Sequence, residues 1–236
     1  RFPFWSRPET IYMHKRKLQF AEQFCDGIIC ISQSTKRDLD SYFQQLGTSV
    51  KKKVRVIYLG ATQLSGASGP DLSQLNQIVI QNHDATLAKN KYLLSFGTIE
   101  PRKNLITLIT VVNHLDQLGK LNDFKLILVG GKGWGKTHQL VKEFIKEQYP
   151  IKSTSKIILM DFLGDKYLST LIKNAYAVIY PPFYEGFGLP ILESMQLGTP
   201  VITSNTSSMP EVGEKAVLYV NPTDPESIEK TILKLL

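Results

Sequence analysis

Residues 177–203 read AVIYPPFYEGFGLPILESMQLGTPVIT and contain a complete strand–helix–strand unit. Ala177 to Tyr180 is a short β-rich run, and Val201 to Thr203 is another. Between them, Pro190 suits the first turn of a helix that runs from Leu189 to Leu197. Two short apolar strands joined through a helix are typical of a parallel sheet.

The same alternation extends outward from this unit in both directions. The predicted strands are Tyr92–Gly97, Phe124–Val129, Lys156–Met160 and Val217–Val220, and the predicted helices are Asn104–Leu118, His138–Glu147, Lys166–Asn174 and Pro225–Leu236. This pattern predicts an α/β fold with a doubly wound, Rossmann-like parallel sheet. Ligands of such sheets bind at the carboxyl ends of the strands, so the loops that follow the strands should carry the site.

The first 60 residues are organised less regularly. Glu9 to Phe24 is compatible with an amphipathic helix, and Asp26 to Ser32 is predicted to be a buried strand. A helix capped by Thr35 and ending near Leu46 should follow, and Val54 to Leu59 is a second strand. This segment can therefore hold a small unit of its own.

A change in composition divides the chain into three parts. Residues 61–76 are small and polar, as expected of a linker or insertion. We therefore predict an N-terminal part at 1–60, a linker or insertion at 61–90, and the main domain at 91–236.

The composition of the 236 residues, 42% hydrophobic and 21% charged, is that of a globular protein. No apolar run approaches the roughly 18 residues that a membrane span needs. Two cysteines, Cys25 and Cys30, exclude a disulfide framework and indicate a reducing compartment. The formal net charge of +7 favours an anionic ligand or surface, but the basic residues are too scattered for nucleic acid. Because the chain begins at Arg1 and ends inside a helical run at Leu236, we expect a fragment.

The loop after the first main-domain strand reads GTIEPRKN, residues 97–104, and places two cations at the start of a helix. Backbone N–H groups and the helix dipole favour an anion there, so Arg102 and Lys103 would complete a phosphate site. The alternative is a solvated basic turn. None of the six arginines follows Arg102, which makes it the one candidate for a bidentate phosphate contact in the main domain.

A second loop, Gly130 to Thr137, satisfies the phosphate-binding pattern G-x-x-x-x-G-K-[ST] between a strand and a helix. Trp134 places an indole directly before Gly135, where such a loop must wrap tightly around a phosphate. A glycine-rich turn with solvated lysines is the other interpretation. Both stay open at this point.

The loop after Tyr180 carries the strongest pattern. Gly186 and Gly188 leave the backbone bare, so its N–H groups can reach a ligand. Glu185 lies in the loop and Glu193 on the following helix, where both carboxylates can face one crevice. Carboxylates accept hydrogen bonds from paired hydroxyls such as those of a ribose or a hexose.

At these loops the sequence resembles glycosyltransferase family 4, the retaining group 1 nucleotide-sugar transferases of the GT-B fold. The resemblance rests on EGFGLPILESMQLGTPVI, GTIEPRKNL, FLGD and SSMPEVGEKAVLYVNPTDPESI, with CDGIICISQSTKRDL and VRVIYLG nearer the N-terminus. It covers nearly everything except residues 61–90. It implies that 1–60 is a remnant of an N-terminal, acceptor-side domain and that 91–236 is the donor-binding domain.

Carried over by position, the resemblance implies three catalytic residues. Arg102 and Lys103 would bind the donor pyrophosphate and stabilise the departing nucleotide diphosphate, while Glu185 would hold hydroxyls of the donor sugar. Glu193 would accept hydrogen bonds from the ribose. The other donor-binding residues that it implies are Gly97, Phe162, Leu163, Tyr167, Gly186, Phe187, Gly188 and Leu189, of which Phe162, Leu163 and Tyr167 would lie near the base.

The resemblance also implies a reaction and a setting. The chain would serve a retaining hexosyltransferase that uses a UDP-glucose or GDP-mannose type of donor and a saccharide or lipid-linked acceptor, in polysaccharide or glycolipid assembly. No metal or cofactor is expected, and the D-x-D of Asp38 and Asp40 is read as accidental. The expected location is cytoplasmic, where the lysine excess suits an anionic inner membrane face.

Two features limit this expectation. The rest of the N-terminal domain is a partner that this chain would need for efficient transfer, so the fragment is expected to bind a donor and to transfer poorly alone. Two other classes also stay open: a P-loop NTP-binding protein that uses Gly130–Thr137, and a non-catalytic sugar-nucleotide-binding module.

Overall fold

The computed structural model describes residues 8–61, 70–83, 85–151 and 155–236. The helices are α1 (Pro8–Phe24), α2 (Gln33–Gln45), α3 (Leu72–His83), α4 (Leu105–Gln117), α5 (Thr137–Gln148), α6 (Asp165–Asn174), α7 (Leu189–Gln196), α8 (Met209–Gly213) and α9 (Pro225–Leu235). The strands are β1 (Gly27–Cys30), β2 (Lys53–Val56), β3 (Tyr92–Phe96), β4 (Lys125–Val129), β5 (Ile157–Met160), β6 (Ala177–Tyr180), β7 (Val201–Ser204) and β8 (Leu218–Val220).

Six strands form one parallel sheet in the order β5, β4, β3, β6, β7, β8. Leu93 on β3 lies between Leu126 of β4 and Ala177 of β6. The chain moves outward from β3 to β5 and then returns to the other side of β3 with β6, so the strand order reverses between β3 and β6. The α/β, doubly wound prediction is confirmed, and such a reversal is where these sheets form a ligand crevice.

Helices cover both faces of the main sheet, which explains why its strands are apolar on both sides. One face packs against α4, α5 and α9, with Leu108 and Ile228 among its buried side chains. The opposite face packs against α3, α6, α7 and α8, and buries Leu75, Leu171 and Ile191. The loops at the carboxyl edge of the sheet therefore begin at strands that are packed on both faces.

The N-terminal part forms a second, small unit in which β1 and β2 pair in parallel. Cys30, Leu39 and Phe43 form its buried core. The prediction that β1 is a buried strand is wrong, because 66% of Ile29 is exposed. The run is apolar on both faces, and sequence alone does not show that one face lacks a covering layer here. Burial raises the pKa of the Cys30 thiol, which keeps it protonated and unreactive.

Part of the predicted linker is a helix. Within 61–90, α3 spans Leu72–His83, and Leu75 and Val79 on it are fully buried. Their spacing is helical, but Asn76 and Gln77 lie between them and further glutamines and asparagines flank them, which dilutes the apolar signal on which a sequence-based prediction depends. Residues 62–69 and 84 of the same stretch lie outside the described residues.

Two local features also differ from expectation. Ser32, not Thr35, caps α2, since its Oγ accepts the Thr35 N–H at 2.9 Å. The five-residue helix α8 was not predicted because it is too short to show periodicity.

Within the described ranges no helix combines the length and the apolarity needed to cross a bilayer.

Candidate functional site

Five loops meet at the carboxyl edge of the main sheet: residues 97–104 after β3, 130–136 after β4, 161–164 after β5, 181–188 after β6 and 205–208 after β7. Parallel strands end at the same edge, so every chemically distinctive loop of the main domain is brought to one rim. Hydrogen bonds join neighbouring loops directly, for example from Phe183 N to Arg102 O at 2.9 Å. We call this edge the donor rim, after the ligand class that the sequence suggests.

The centre of the donor rim is a cluster of four charged side chains and one phenol. Arg102 and Lys103 lie on a 3-10 turn between β3 and α4. Arg102 pairs with Glu100 through Nη2 and with Glu185 through Nη1, each at 2.5 Å. Lys103 Nζ pairs with Glu185 Oε1, and the Tyr180 hydroxyl contacts both of those groups. The two loops on either side of the strand-order reversal are thus tied together by ion pairs.

These ion pairs are largely shielded from solvent, unlike ion pairs on a protein surface. The side chains of Lys103 and Glu185 are 9% and 11% exposed, and that of Arg102 is 31% exposed. Burial lowers the pKa of the Lys103 ammonium more than the Glu185 carboxylate raises it. Burial alone would raise the pKa of Glu185, but Lys103 and Arg102 outweigh it and hold that pKa below its usual value. Glu185 is therefore a carboxylate at neutral pH.

The loop that carries Glu185 has all three of its central carbonyls bonded to hydroxyl groups. Ser207 Oγ donates to Glu185 O, and Ser208 Oγ donates to Phe187 O at 2.7 Å. The carbonyl of Gly186 accepts from two hydroxyls at the start of α2. A peptide unit is planar with its C=O and N–H on opposite sides, so a carbonyl that is fixed in place also fixes the direction of the next N–H.

The N–H groups of residues 186–189 differ from the carbonyls of this loop in having no partner in the part of the chain that the structure describes. Among the described residues, no acceptor bonds the N–H groups of Gly186, Phe187, Gly188 or Leu189. Gly188 has φ +117°, a left-handed conformation that glycine adopts easily, and it precedes the first turn of α7. A helix N-terminus with free N–H groups attracts an anion. We call residues 185–189 the donor loop.

The remaining sequence-predicted residues have different surroundings. Gly97, with φ +117°, lies beside the Lys103 ammonium, since a Cβ there would be 3.8 Å from Nζ. Phe162 is 75% exposed, whereas Leu163 and Tyr167 pack against the main core. Glu193 lies on α7, one turn beyond the donor loop. The role of each toward a ligand stays a prediction.

The glycine-rich loop after β4 has a packing function. A Cβ on Gly130 would overlap the Gly97 carbonyl, and one on Gly133 would lie 2.6 Å from Ile99 O. The two loops exchange hydrogen bonds, from Ile99 N to Gly131 O at 3.0 Å and from Gly133 N to Ile99 O at 3.1 Å. The glycines therefore let this loop lie directly against the 97–104 loop, and the Gly133 amide is already bonded to protein.

The sequence model described as "Glycosyl transferases group 1" matches residues 79–236, well over half of the chain. The chain belongs to this family. The match begins within α3 and includes every loop of the donor rim, so the rim is a feature of the group 1 domain.

Individual relatives of this group 1 chain include two from Escherichia coli. This chain is 39% identical over 152 residues to O-antigen chain mannosyltransferase B, in a match that covers 64% of this chain and 38% of that protein. It is 25% identical over 214 residues to serotype-specific mannosyltransferase WbdA, covering 89% of this chain and 25% of that protein. The chain therefore spans well under half the length of these relatives.

Solved structures share the fold. Anabaena Alr3699/HepE in complex with UDP and glucose superposes with a TM-score of 0.71 at 22% identity, covering 93% of this chain and 56% of that one. A second structure, described as trehalose-6-phosphate from E. coli bound with UDP-2-fluoro glucose, superposes with a TM-score of 0.75 at 12% identity. The match covers 97% of this chain and 57% of that one. These neighbours are GT-B glycosyltransferases, and the group 1 chain shares the fold of the part of each that it covers.

Sequence reasoning missed several residues that build the rim of this group 1 domain. Asn104 adopts φ 60° and donates from Nδ2 to Pro181 O at 3.1 Å and to Pro222 O at 2.8 Å. Asn104 thus joins three loops. The sequence feature that could have indicated this role is an asparagine directly before a helix, because asparagine tolerates the left-handed region. Tyr180 was read as a strand residue, although a tyrosine at the end of a buried strand needs a partner for its hydroxyl.

Proposed function

We propose that this chain binds a nucleotide-diphosphate sugar at the donor rim and forms the donor half of a hexosyltransferase. One observation carries the proposal. Half-buried Arg102 and buried Lys103 lie beside the donor loop. The amides of residues 186–189 in that loop, which have no acceptor among the described residues, and the helix N-terminus add further anion-binding groups on the same rim. Guanidinium, ammonium and oriented N–H groups together are suited to a diphosphate.

The role of each group follows from its position. Arg102 and Lys103 would contact the diphosphate, whose charge increases as the bond to the sugar breaks. Groups that are held in place before the reaction stabilise such charge without reorganising, and each can contribute about 3 kcal/mol. Glu185 keeps Lys103 and Arg102 in place and would accept from sugar hydroxyls, while Glu193 would accept from the ribose.

We further propose transfer with retention of configuration. The C1–oxygen bond to the diphosphate breaks, a bond from C1 to the acceptor oxygen forms on the same face, and the acceptor proton passes to a phosphate oxygen. Arg102 and Lys103 would stabilise the diphosphate as it leaves. The proposal uses no metal ion and no cofactor, and the nucleotide sugar is a substrate.

The named relatives guide the choice of donor and acceptor. Two of them are called mannosyltransferases, one of them an O-antigen chain enzyme, so GDP-mannose is the first donor to test and UDP-glucose the second. The acceptor that we propose is a saccharide or a lipid-linked glycan in polysaccharide assembly. The relatives are much longer than this chain, and we propose that further N-terminal sequence supplies the acceptor side.

A peripheral location at the cytoplasmic face of a membrane would suit a lipid-linked acceptor. The net charge of +7 supports contact with anionic lipid. Sedimentation with anionic and with neutral liposomes at low salt tests this point. Binding to anionic liposomes alone is expected, and no sedimentation with either kind would contradict it.

The donor proposal is tested by calorimetry on this chain with GDP, UDP and ATP, each with and without Mg²⁺. Two alanine variants are compared, Glu193→Ala on the proposed ribose contact and Lys136→Ala in the glycine-rich loop. We expect GDP or UDP to bind without metal, Glu193→Ala to weaken that binding at least tenfold, and Lys136→Ala to leave it unchanged.

Other results would favour the other classes of protein. Mg²⁺-dependent ATP binding that is lost in Lys136→Ala would establish a P-loop and contradict the proposal. Donor binding without any turnover, when the chain is supplied with the N-terminal part of a relative and an acceptor, would indicate a binding module rather than an enzyme.

A further inference from the structure

The first turn of α2 contacts the donor loop, although 151 to 154 residues separate them in sequence. Ser32 Oγ lies 2.7 Å from Gly186 O, and Thr35 Oγ1 lies 3.0 Å from the same oxygen. Each hydroxyl has one proton and a carbonyl oxygen has two lone pairs, so both can donate at once. Ser32 is fully buried, and its Oγ also lies 2.9 Å from Thr35 Oγ1, so the two hydroxyls form one cluster around Gly186 O.

The position of this turn is set from the main domain. Glu211 on α8 accepts from Gln33 N at 2.6 Å and from Ser34 N at 2.7 Å, one hydrogen bond to each carboxylate oxygen. These are N–H groups that a helix start leaves without an internal partner, and a carboxylate also complements the positive end of the helix dipole. A second contact, from Tyr184 OH to Asp38 Oδ2 at 2.5 Å, joins the next turn of α2 to the residue that precedes the donor loop.

The peptide between Gly186 and Phe187 is the group that this contact controls. Gly186 has no Cβ, so the peptide that follows it can rotate at little steric cost unless its carbonyl is held. Holding Gly186 O against α2 directs the Phe187 N–H to the opposite side of the planar peptide, away from α2. That N–H has no acceptor among the described residues.

We propose that Ser32 and Thr35 are positioning residues of the donor site: they hold the Gly186 carbonyl so that the Phe187 amide points to the ligand. The consequence for ligand binding rests on the proposed function. The consequence for the peptide does not, because it concerns the free protein. The N-terminal part thereby takes part in the donor site without touching the donor.

The test uses a double variant, Ser32→Gly with Thr35→Val. Glycine is tolerated at a helix N-cap at a cost of a few tenths of a kcal/mol, and valine keeps the shape of threonine, so α2 should stay folded. Thr35→Ser keeps both hydroxyls and is the rescue variant. Ser41→Ala is the matched control, since it removes an exposed hydroxyl of the same helix that bonds only Arg37 O in the described structure.

Two readouts separate this inference from the proposed function. The first is the carbonyl ¹³C resonance of Gly186 and the amide resonance of Phe187 in the free protein. Both should shift in the double variant and stay in place in Thr35→Ser and Ser41→Ala. The second is the affinity for GDP or UDP, which should fall about tenfold in the double variant only, the effect expected of one lost hydrogen bond to a charged group.

Either of two results would overturn the inference. Unchanged resonances in the double variant would show that the hydroxyls do not hold the peptide. Shifted resonances with unchanged affinity would show that the peptide is held without serving the ligand. If the unmodified chain bound no nucleotide, the proposed function would fail, and the resonances would still decide whether Ser32 and Thr35 fix the peptide.

Discussion

Replacing Glu185 by glutamine removes one charge from the buried cluster while keeping the size of the side chain. In the structure this carboxylate pairs with Arg102 and Lys103 and accepts from the Tyr180 hydroxyl. Its closest match is Glu100, whose side chain is also 11% exposed but which has one ion pair among the described residues, to Arg102. The two Glu→Gln variants therefore differ in partners and not in burial.

The expected cost follows from what each variant leaves behind. Glu185→Gln leaves the Lys103 ammonium, 9% exposed, without a carboxylate, and breaking a buried pair in this way costs about 3 to 5 kcal/mol. Burial lowers the pKa of Lys103, so this cost should fall at alkaline pH, where the unpaired ammonium loses its proton. Glu100→Gln leaves Arg102 paired with Glu185, so we expect about 1 kcal/mol.

The pH dependence gives a second check with a defined sign. The folded-state pKa of Glu185 is below the unfolded value, so its stabilisation is complete above the unfolded value of about 4.3. It is lost as pH falls through the folded pKa. The free-energy difference between the unmodified chain and Glu185→Gln should therefore be constant from pH 5 to 7 and should shrink as the pH is lowered toward 2.

Urea unfolding followed by circular dichroism measures both quantities, with the slope checked for constancy across variants. The reasoning would be refuted if Glu185→Gln cost no more than Glu100→Gln at pH 7. A free-energy difference between the unmodified chain and Glu185→Gln that grew as the pH was lowered would also refute it. Such growth requires that folding raises the pKa of the Glu185 carboxyl.

Three further predictions concern the fold. Leu75→Ala should cost about 2 to 5 kcal/mol because the side chain is fully buried, whereas Leu140→Ala, at a 49% exposed position, should cost less than 1 in the same urea titration. Gly97→Ala should lower the free energy of unfolding by about 1 kcal/mol or more, because alanine is strained at the Gly97 φ of +117°. Gly164→Ala, with open space around it and a φ of −66°, should not lower it. Burial raises the pKa of Tyr180 well above its usual range, so this hydroxyl should not ionise in the folded protein. Tyr180→Phe should therefore leave the absorbance titration of the native protein at 295 nm unchanged up to pH 11. After unfolding, the variant should show one ionising tyrosine fewer than the unmodified chain. An early tyrosinate signal that disappears in this variant would contradict the burial argument.

The main sheet could be predicted because its strands have a strong signal. A strand buried on both faces is apolar throughout, as in Ala177–Tyr180, and the helices between strands have clear starts such as Pro190 and Pro225. Helix α3 was missed for the opposite reason. Asn76 and Gln77 lie between its buried Leu75 and Val79, and five of its twelve residues are glutamine or asparagine, which are compatible with a helix but add nothing to an apolar pattern.

The site was only partly predictable from sequence. Arg102, Lys103 and Glu185 could be named because each lies in a loop after a strand, and the structure brings them together. That Glu185 pairs with both cations could not be predicted, because it depends on how the two loops face each other. The hydroxyls on the donor-loop carbonyls were invisible for a related reason: Ser32 and Ser208 are common residues, and only the fold places them against the same loop.

The charges of Glu100, Arg102, Lys103 and Glu185 cancel, and this affects how fast an anion can arrive at the donor rim. Beyond a Debye length, about 8 Å at physiological salt, such a cluster exerts almost no attraction. Long-range steering must come from the net charge of +7, which salt screens. Added salt should therefore slow association, while the dissociation rate, which depends on short buried contacts, should change little.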